Sequence, residues 1–306
     1  MKAVGSPDNW SLARIGGNLL LNAVLLPLYA LFFALCVFIA FSPLFPARTA
    51  RENFRTRLGF KPALRVMATA ATLFHYVLLL IEDFIFWPLG LITIRDNAAA
   101  RESVTGASLT AQQKKVALTV LSAHFGNIEI TAQCLNSLLV AQVNPEQKLL
   151  ALAKPGRWEW ITRLLEWYRN LRGIEVLQTN RKDLPRAMLQ ALKSGRALAL
   201  LVDQKPASAG FFVDFFGAQS AFPEGGVDIC ARMKSEFVFV TSRRLWPGFY
   251  TFEGRHFTAH ADNDLNSALI LTSYARWLEA VIRISPWQWS WDYRKWSRKP
   301  AGGLQV

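Results

Sequence analysis

The strand–turn–helix pattern of residues 116–130, VALTVLSAHFGNIEI, constrains the fold of this chain more than any other stretch. Its first half is a continuous apolar run with β-branched residues, which favours a strand buried on both faces of a sheet. Gly126 and Asn127 then predict a tight turn and a helix N-cap, followed by a helix. His124 and Glu129 are therefore expected at the carboxyl end of a buried strand, where open α/β sheets bind their ligands.

His124 and Glu129 have the chemistry of a general base and its partner. A neutral imidazole can take a proton from a hydroxyl near neutral pH. A carboxylate five positions later could hydrogen-bond the other ring nitrogen and stabilise the imidazolium that forms. Because no Ser or Cys lies in a nucleophile elbow, direct attack by a substrate hydroxyl is favoured over a covalent intermediate. A structural role for both residues is the alternative, since a bare His-x4-acid match also arises by chance.

Charge and composition narrow the range of partners. The chain has a formal net charge of +13 and is 52% hydrophobic, which suggests an anionic membrane surface, an acidic protein or a phosphorylated substrate. The basic residues are dispersed and match no nucleic-acid-binding motif, so no nucleic-acid partner is predicted. The three cysteines lie in apolar settings without metal-ligand spacing, so neither a metal nor another cofactor is predicted.

An uncharged segment, residues 15–47, is long enough to cross a membrane as a helix. A cleaved signal peptide and a buried core helix are the alternatives. The basic cluster over residues 48–65 follows it, so the positive-inside rule predicts a single-pass protein with its carboxyl-terminal domain in the cytoplasm. A second apolar segment, residues 66–94, contains Glu82 and Asp83, and we interpret it as one or two amphipathic helices rather than a span.

The remaining chain predicts an α/β fold. From residue 116 onward, strand-like and helix-like segments alternate, which indicates a mixed, mostly parallel central sheet covered by helices. We therefore divide the chain into an amino-terminal segment with a transmembrane helix (1–47), a basic, amphipathic membrane-proximal region (48–115) and a catalytic domain (116–306). Within the second part, the polar residues 95–115 are interpreted as a link.

Three further stretches contain candidate site residues. Asp203 ends a second apolar strand and is expected to face the same crevice as His124, where it would orient a ligand hydroxyl or cap the next loop. Basic side chains after the His-containing turn could bind phosphate or stabilise an oxyanion. The Trp-rich segment 286–300 suits a membrane interface or a packed helix end. The candidate substrate-binding residues are Asn127, Lys154, Arg169, Arg172, Asp203 and Gln204.

Several motifs together resemble one family, the late acyltransferases of lipid A biosynthesis within the lysophospholipid acyltransferase superfamily. The resemblance covers nearly the whole chain. Its most specific parts are the AHFGNIEI block, VDFFG and the Trp-rich ending. The quoted motifs are AHFGNIEI, RENF (Arg51–Phe54), NRKDL (Asn180–Leu184), LVDQ (Leu201–Gln204), VDFFG (Val213–Gly217) and PWQW…RKW.

The resemblance implies an inner-membrane enzyme whose active site faces the cytoplasm. Such enzymes move an acyl group from acyl carrier protein, or from acyl-CoA, to a hydroxyl of a glycolipid such as a lipid A precursor. Carried onto this sequence, His124 is the general base, Glu129 is its partner, and Arg169 and Arg172 bind phosphate or stabilise charge. The ending departs from the family pattern at Tyr293 and Lys295, which leaves another glycolipid or a lysophospholipid as alternative acceptors. A non-catalytic lipid-binding protein of the same fold is the alternative from another class.

Overall fold

The apolar amino-terminal segment forms one long helix, α1 (Leu12–Phe41). Its 30 residues span about 45 Å at roughly 1.5 Å per residue, more than the roughly 30 Å hydrocarbon layer of a bilayer. Within the described residues, Leu12–Phe41 and Pro62–Phe86 are long and apolar enough to cross a membrane. The computed structural model describes residues 12–142, 149–156, 158–206, 210–258 and 265–297.

Two helices follow α1 and lead into the sheet. They are α2 (Ala47–Leu58) and α3 (Pro62–Ile81). Gly59, with a φ of 66°, ends α2 in the left-handed conformation that glycine adopts readily. A π-helical turn, Glu82–Phe86, extends α3, and the Glu82 side chain is completely buried there. The second apolar segment is therefore helical over residues 66–86, as predicted, but its end enters a strand, β1 (Thr93–Arg95), instead of continuing as a helix. Its two acidic residues lie within the fold.

A mostly parallel sheet forms the centre of the molecule. The described strands are β1 (Thr93–Arg95), β2 (Leu118–Ser122), β3 (Leu149–Ala153), β4 (Ile174–Gln178), β5 (Leu198–Leu201), β6 (Phe211–Asp214), β7 (Gln219–Phe222), β8 (Glu236–Trp246) and β9 (Phe249–Phe257). The strand order in the central sheet is β1-β9-β8-β2-β5-β3-β4, and among these described strands only the β8–β9 pair is antiparallel. This confirms the predicted mixed, mostly parallel sheet. A separate antiparallel hairpin is formed by β6 and β7.

Helices cover both faces of this sheet. Alternate side chains of β2 pack on opposite faces of the sheet. Leu121 packs in one apolar cluster, and Leu118 and Val120 pack in another. All five residues of β2 are buried, which explains its continuous apolar sequence. The remaining helices are α4 (Ala98–Lys114), α5 (Ile128–Gln142), α6 (Glu159–Leu171), α7 (Leu184–Lys193), α8 (Gly225–Arg232) and α9 (Ser267–Ile284).

The segment predicted as a link is ordered structure instead. Ala98–Lys114 form α4. This helix lies directly against β9. At Gly254 of β9, an added Cβ atom would lie only 3.0 Å from the Ala100 carbonyl oxygen. Strand β1 pairs in parallel with β9, so the central sheet contains a strand from the membrane-proximal region. The polar composition of α4 reflects its solvent-facing side, with apolar residues such as Val104 buried. The three-part division of the chain stays a prediction.

Candidate active site

His124 meets Asp203 at the carboxyl edge of the sheet. Strands β2 and β5 pair in parallel with Ser122 opposite Leu201, so each site residue lies two positions beyond a matched pair. His124 Nδ1 is 2.8 Å from Asp203 Oδ1, and the His124 backbone N–H donates to Asp203 Oδ2 at 3.0 Å. The prediction that Asp203 faces the same crevice as His124 is confirmed.

The Asp203 carboxylate fixes the hydrogen bonding of the imidazole. Asp203 is only 1% exposed and also accepts from the indole N–H of Trp289 at 2.9 Å. An ionised carboxylate only accepts hydrogen bonds, so His124 Nδ1 must carry the hydrogen. Nε2 is then the basic nitrogen. The His124 side chain is 29% exposed, which leaves the imidazole accessible to a substrate.

The two groups also shift each other's pKa. Burial acts to lower the pKa of His124, but the charge of Asp203 and its hydrogen bond raise that pKa above the ordinary value. Burial acts to raise the pKa of Asp203, but the charge of His124 and the hydrogen bonds from His124 and Trp289 hold that pKa below the usual range. Asp203 is therefore ionised at neutral pH, and His124 lies beside a permanent negative charge.

The turn after β2 depends on a glycine. Gly126 has a φ of 63°, and a Cβ atom at this position would lie 1.7 Å from the Ser242 carbonyl oxygen. No residue with a side chain fits this close approach to β8. Asn127 follows as the predicted N-cap, with its side-chain oxygen accepting from the backbone N–H groups of Glu129 and Ile130, each at 3.0 Å.

Glu129 does not pair with His124, and this part of the prediction is wrong. Its carboxylate accepts from Arg169 Nη2 at 2.6 Å and from Arg169 Nε at 3.0 Å. Asp203 already occupies Nδ1 of His124, while the last turn of α6 brings the planar guanidinium fork of Arg169 to Glu129, a geometry that suits a carboxylate. The sequence spacing therefore predicted a His124–Glu129 pair that the structure does not contain, and a functional role for either residue stays a prediction.

The other candidate residues lie in different settings. Arg172 is completely buried, donates to Asp83 Oδ1 at 3.1 Å and packs over the rings of Trp87 and Tyr168. Asn127 is 1% exposed, and the described hydrogen bonds of its side chain belong to the turn and to Asp83. Lys154 is exposed after β3, and Gln204 is half-buried beside Asp203. Substrate binding by these residues stays a prediction.

The central tryptophans of the Trp-rich ending, Trp289 and Trp291, pack inside the protein. Trp289 is 2% exposed and Trp291 is completely buried, which supports the alternative of a packed segment for these two residues; residues 298–300 of the predicted stretch lie outside the described residues. Trp289 is the site residue that sequence reasoning missed. Its only signal was its place in a motif that interfacial tryptophans also explain.

An apolar cavity lies beside the site, lined by residues of α5, α6 and the sheet. Of the described residues that line it, only Glu129 and Arg169 are charged. The other lining residues are almost all apolar, including Leu135, Leu152 and Val240. Such a cavity suits a hydrocarbon chain with a polar group at one end. Among the described residues, no group of three or more His, Cys, Asp or Glu side chains could hold a metal ion.

Comparison with known proteins gives one family. The family model described as Bacterial lipid A biosynthesis acyltransferase matches residues 48–298, a range that contains His124, Glu129, Arg169, Asp203 and Trp289. The family is the one that the sequence motifs resemble, so that prediction is confirmed. Among curated proteins, the comparison finds no match.

Proposed function

Because this chain belongs to the bacterial lipid A biosynthesis acyltransferase family, it is an acyltransferase with a lipid acceptor, and we propose that it acylates a hydroxyl of a lipid A precursor or a related glycolipid. The donor is the thioester of acyl carrier protein or of acyl-CoA. One observation carries the proposal: an accessible imidazole, with Nδ1 held by a buried carboxylate, lies at the sheet edge near an apolar cavity.

In the proposed reaction His124 acts as general base. Nε2 takes the proton of the acceptor hydroxyl while its oxygen bonds to the thioester carbonyl carbon. The resulting tetrahedral intermediate collapses, the carbon–sulfur bond breaks, and the imidazolium returns its proton to the leaving thiolate. Asp203 stabilises the imidazolium between these steps without taking the proton itself. The products are the ester and the free thiol.

The cavity between α5 and α6 is proposed to hold the acyl chain. Its apolar walls suit the hydrocarbon, and the Glu129–Arg169 pair supplies its charged lining. A guanidinium near the thioester would stabilise the charge that develops on the carbonyl oxygen. The role that we propose for Glu129 is therefore to position Arg169, rather than to orient His124.

The proposed partners follow from charge and hydropathy. With a net charge of +13, the protein attracts an acidic partner such as acyl carrier protein, and this attraction raises the rate of their encounter. Helix α1 is proposed as a single membrane span in the bacterial inner membrane. The basic residues that follow α1 place the catalytic domain on the cytoplasmic side in this proposal.

Replacing His124 with Ala tests the proposal directly. General base catalysis contributes about 10²–10⁴-fold, so acyl transfer in membranes should fall by about that factor without loss of folded protein. His256→Ala is a matched control, since His256 also contacts a carboxylate, Glu236, but at the opposite end of the β2–β8 strand pair. Mass spectrometry of the lipid product identifies the acceptor. Turnover of the folded H124A protein within tenfold of the wild type would reject His124 as the base.

A further inference from the structure

A basic groove lies between α2 and the carboxyl-terminal segment, away from the apolar cavity. Among the described residues that line the groove, three are arginines, Arg48, Arg57 and Arg294. The one acidic residue among them is Glu52, which accepts a hydrogen bond from Arg55 at 2.6 Å. The groove therefore presents a concentration of positive charge that the residues around it do not neutralise.

The three guanidinium groups are available to a ligand. Among the described residues, no carboxylate forms a salt bridge with any of them. The Arg57 guanidinium packs over the Trp296 ring at 4.6 Å from its centroid, and its buried Nε has no hydrogen-bond partner. Arg48 and Arg294 are exposed and Arg57 is half-buried, so a ligand with negatively charged oxygens can reach these side chains from the groove. Guanidinium forks match phosphate oxygens in particular.

The groove lies at the end of the apolar helix. Arg51 donates to the carbonyl oxygens of Ala40 and Ser42, the latter at 2.7 Å, and so closes the carboxyl end of α1. Leu44 and Phe45 line the groove directly after this point and are exposed. If α1 crosses the bilayer, the groove lies at the depth of lipid headgroups.

The segment 290–294 connects the groove to the candidate active site. Ser290 Oγ donates to the His124 carbonyl oxygen at 3.4 Å, and Arg294 of the same segment lines the groove. Asn53 Nδ2 holds the segment on α2 by donating to the Trp291 carbonyl oxygen at 2.7 Å. Arg294 is four residues after Ser290, so their Cα atoms are at most about 14 Å apart. One large headgroup can therefore extend from the groove to the region of His124.

We propose that this groove binds a phosphate group on the headgroup of the acceptor lipid, held by Arg48, Arg57 and Arg294. The inference rests on the proposed function, because it takes the acceptor to be the lipid whose hydroxyl reacts at His124. A phosphate bound here fixes the position of the sugar relative to the imidazole. The groove thereby selects phosphorylated acceptors and orients them.

Binding of a defined lipid pair tests the inference without relying on turnover. The full-length protein in neutral detergent micelles is titrated with an acylated sugar carrying a phosphate monoester, and with the same lipid after phosphatase treatment. Native mass spectrometry reports the bound fraction. We expect the phosphorylated lipid to bind at least about tenfold more tightly, as for one charge-assisted hydrogen-bond cluster. Equal affinity of the two lipids would overturn the proposal, and this arm requires no variant.

Variants then locate the phosphate. R57Q/R294Q should lose about tenfold or more in affinity for the phosphorylated lipid only. R101Q/R232Q removes the same charge from two exposed ion pairs elsewhere and should bind as the wild type does. Unchanged binding by R57Q/R294Q, or equal loss in both variants, contradicts the groove assignment.

Two further measurements complete the test. Competition experiments distinguish the possible sources of the phosphate group, and H124A distinguishes the groove assignment from the proposed role of His124. Phosphatidylglycerol and inorganic phosphate should compete poorly; if either displaces the phosphorylated lipid at equal concentration, assignment to the acceptor is wrong. H124A should bind the phosphorylated lipid with wild-type affinity while losing turnover. Retained turnover in H124A with selective binding would reject the proposed base and leave the groove assignment intact.

Discussion

His75 and His124 each lie in a hydrogen-bonded network with a buried acid, but the two networks differ in whether a ring nitrogen remains open to a substrate. Around His75, the acid Glu82 accepts from Arg244 Nε at 2.8 Å, from Arg244 Nη2 at 2.6 Å, from the Gly248 N–H at 2.8 Å and from the Tyr250 hydroxyl. Arg244 in turn donates to His75 Nδ1, and His75 is 3% exposed. At His124, no described residue hydrogen-bonds Nε2, and the imidazole is accessible.

The difference shows how similar groups acquire different roles. The Glu82 network joins α3 and its π-helical turn to β8 and β9, and each of its hydrogen bonds is internal. Such a saturated pair specifies how elements pack, while removing one partner leaves a buried charge. The His124–Asp203 pair leaves one basic nitrogen for an outside proton, as a general base requires.

The largest expected effect is on chemistry at the open network. Asp203→Asn removes the charge that stabilises the imidazolium and no longer fixes the tautomer of His124, so kcat/KM should fall by about 10³–10⁴-fold. The amide oxygen can still accept from Trp289, so the thermal midpoint in detergent should change little. A D203N protein with more than a tenth of wild-type kcat/KM would show that His124 does not need this carboxylate.

Changes in the closed network around Glu82 should lower the stability of the protein rather than its turnover. Glu82→Ala leaves Arg244 buried without its partner, which should cost about 3–5 kcal/mol of unfolding free energy. Thermal and denaturant unfolding of the detergent-solubilised protein measure this cost. Turnover per folded molecule should stay near the wild-type value.

A double variant sharpens the same comparison. E82L/R244M replaces both charges with apolar groups and should recover part of the lost stability, since the Gly248 N–H and the Tyr250 hydroxyl still lose their acceptor. If E82A lost turnover while unfolding like the wild type, the Glu82 network would have a role in chemistry and the distinction between the two networks would fail.

Glu129 should have an intermediate effect. Glu129→Gln weakens a charge-assisted pair worth about 1.5–3 kcal/mol, so kcat should fall by roughly 10–100-fold if Arg169 stabilises the reacting carbonyl. Glu159→Gln is the control, because Glu159 pairs with Arg163 at the surface of α6, the helix that also contains Arg169. Steady-state kinetics should show the loss in kcat more than in KM; equal activity of E129Q and E159Q would rule out the positioning role.

The smallest effect concerns pH. His124 must be neutral to accept a proton, and Asp203 raises the pKa of His124, so kcat/KM should fall as the pH drops through that raised value. In D203N the opposing effect of burial remains without the carboxylate, so this pKa falls and the acid limb should move to lower pH. A profile of kcat/KM against pH measures the shift. An unchanged limb in D203N would show that another group controls it.

Local features of the site were predictable because they depend on neighbouring residues. The apolar run of β2 predicts burial on both faces, and Gly126 and Asn127 predict the turn and the N-cap. The N-cap bonds join residues two and three positions apart, and the apolar run of β2 is itself contiguous in the sequence. The family resemblance had the same origin, since its motifs are short and contiguous.

The partners of these residues were decided by the tertiary structure. His124 bonds to Asp203, 79 positions away, rather than to Glu129, and Glu129 bonds to Arg169, 40 positions away. Which strand neighbours β2 follows from the packing of several apolar strands of similar composition, a non-local property that no single stretch contains. The sequence by itself determined a buried strand ending in a histidine at a helix entry. The sheet order then determined which acid meets that histidine, because two parallel strands place their carboxyl-terminal residues side by side.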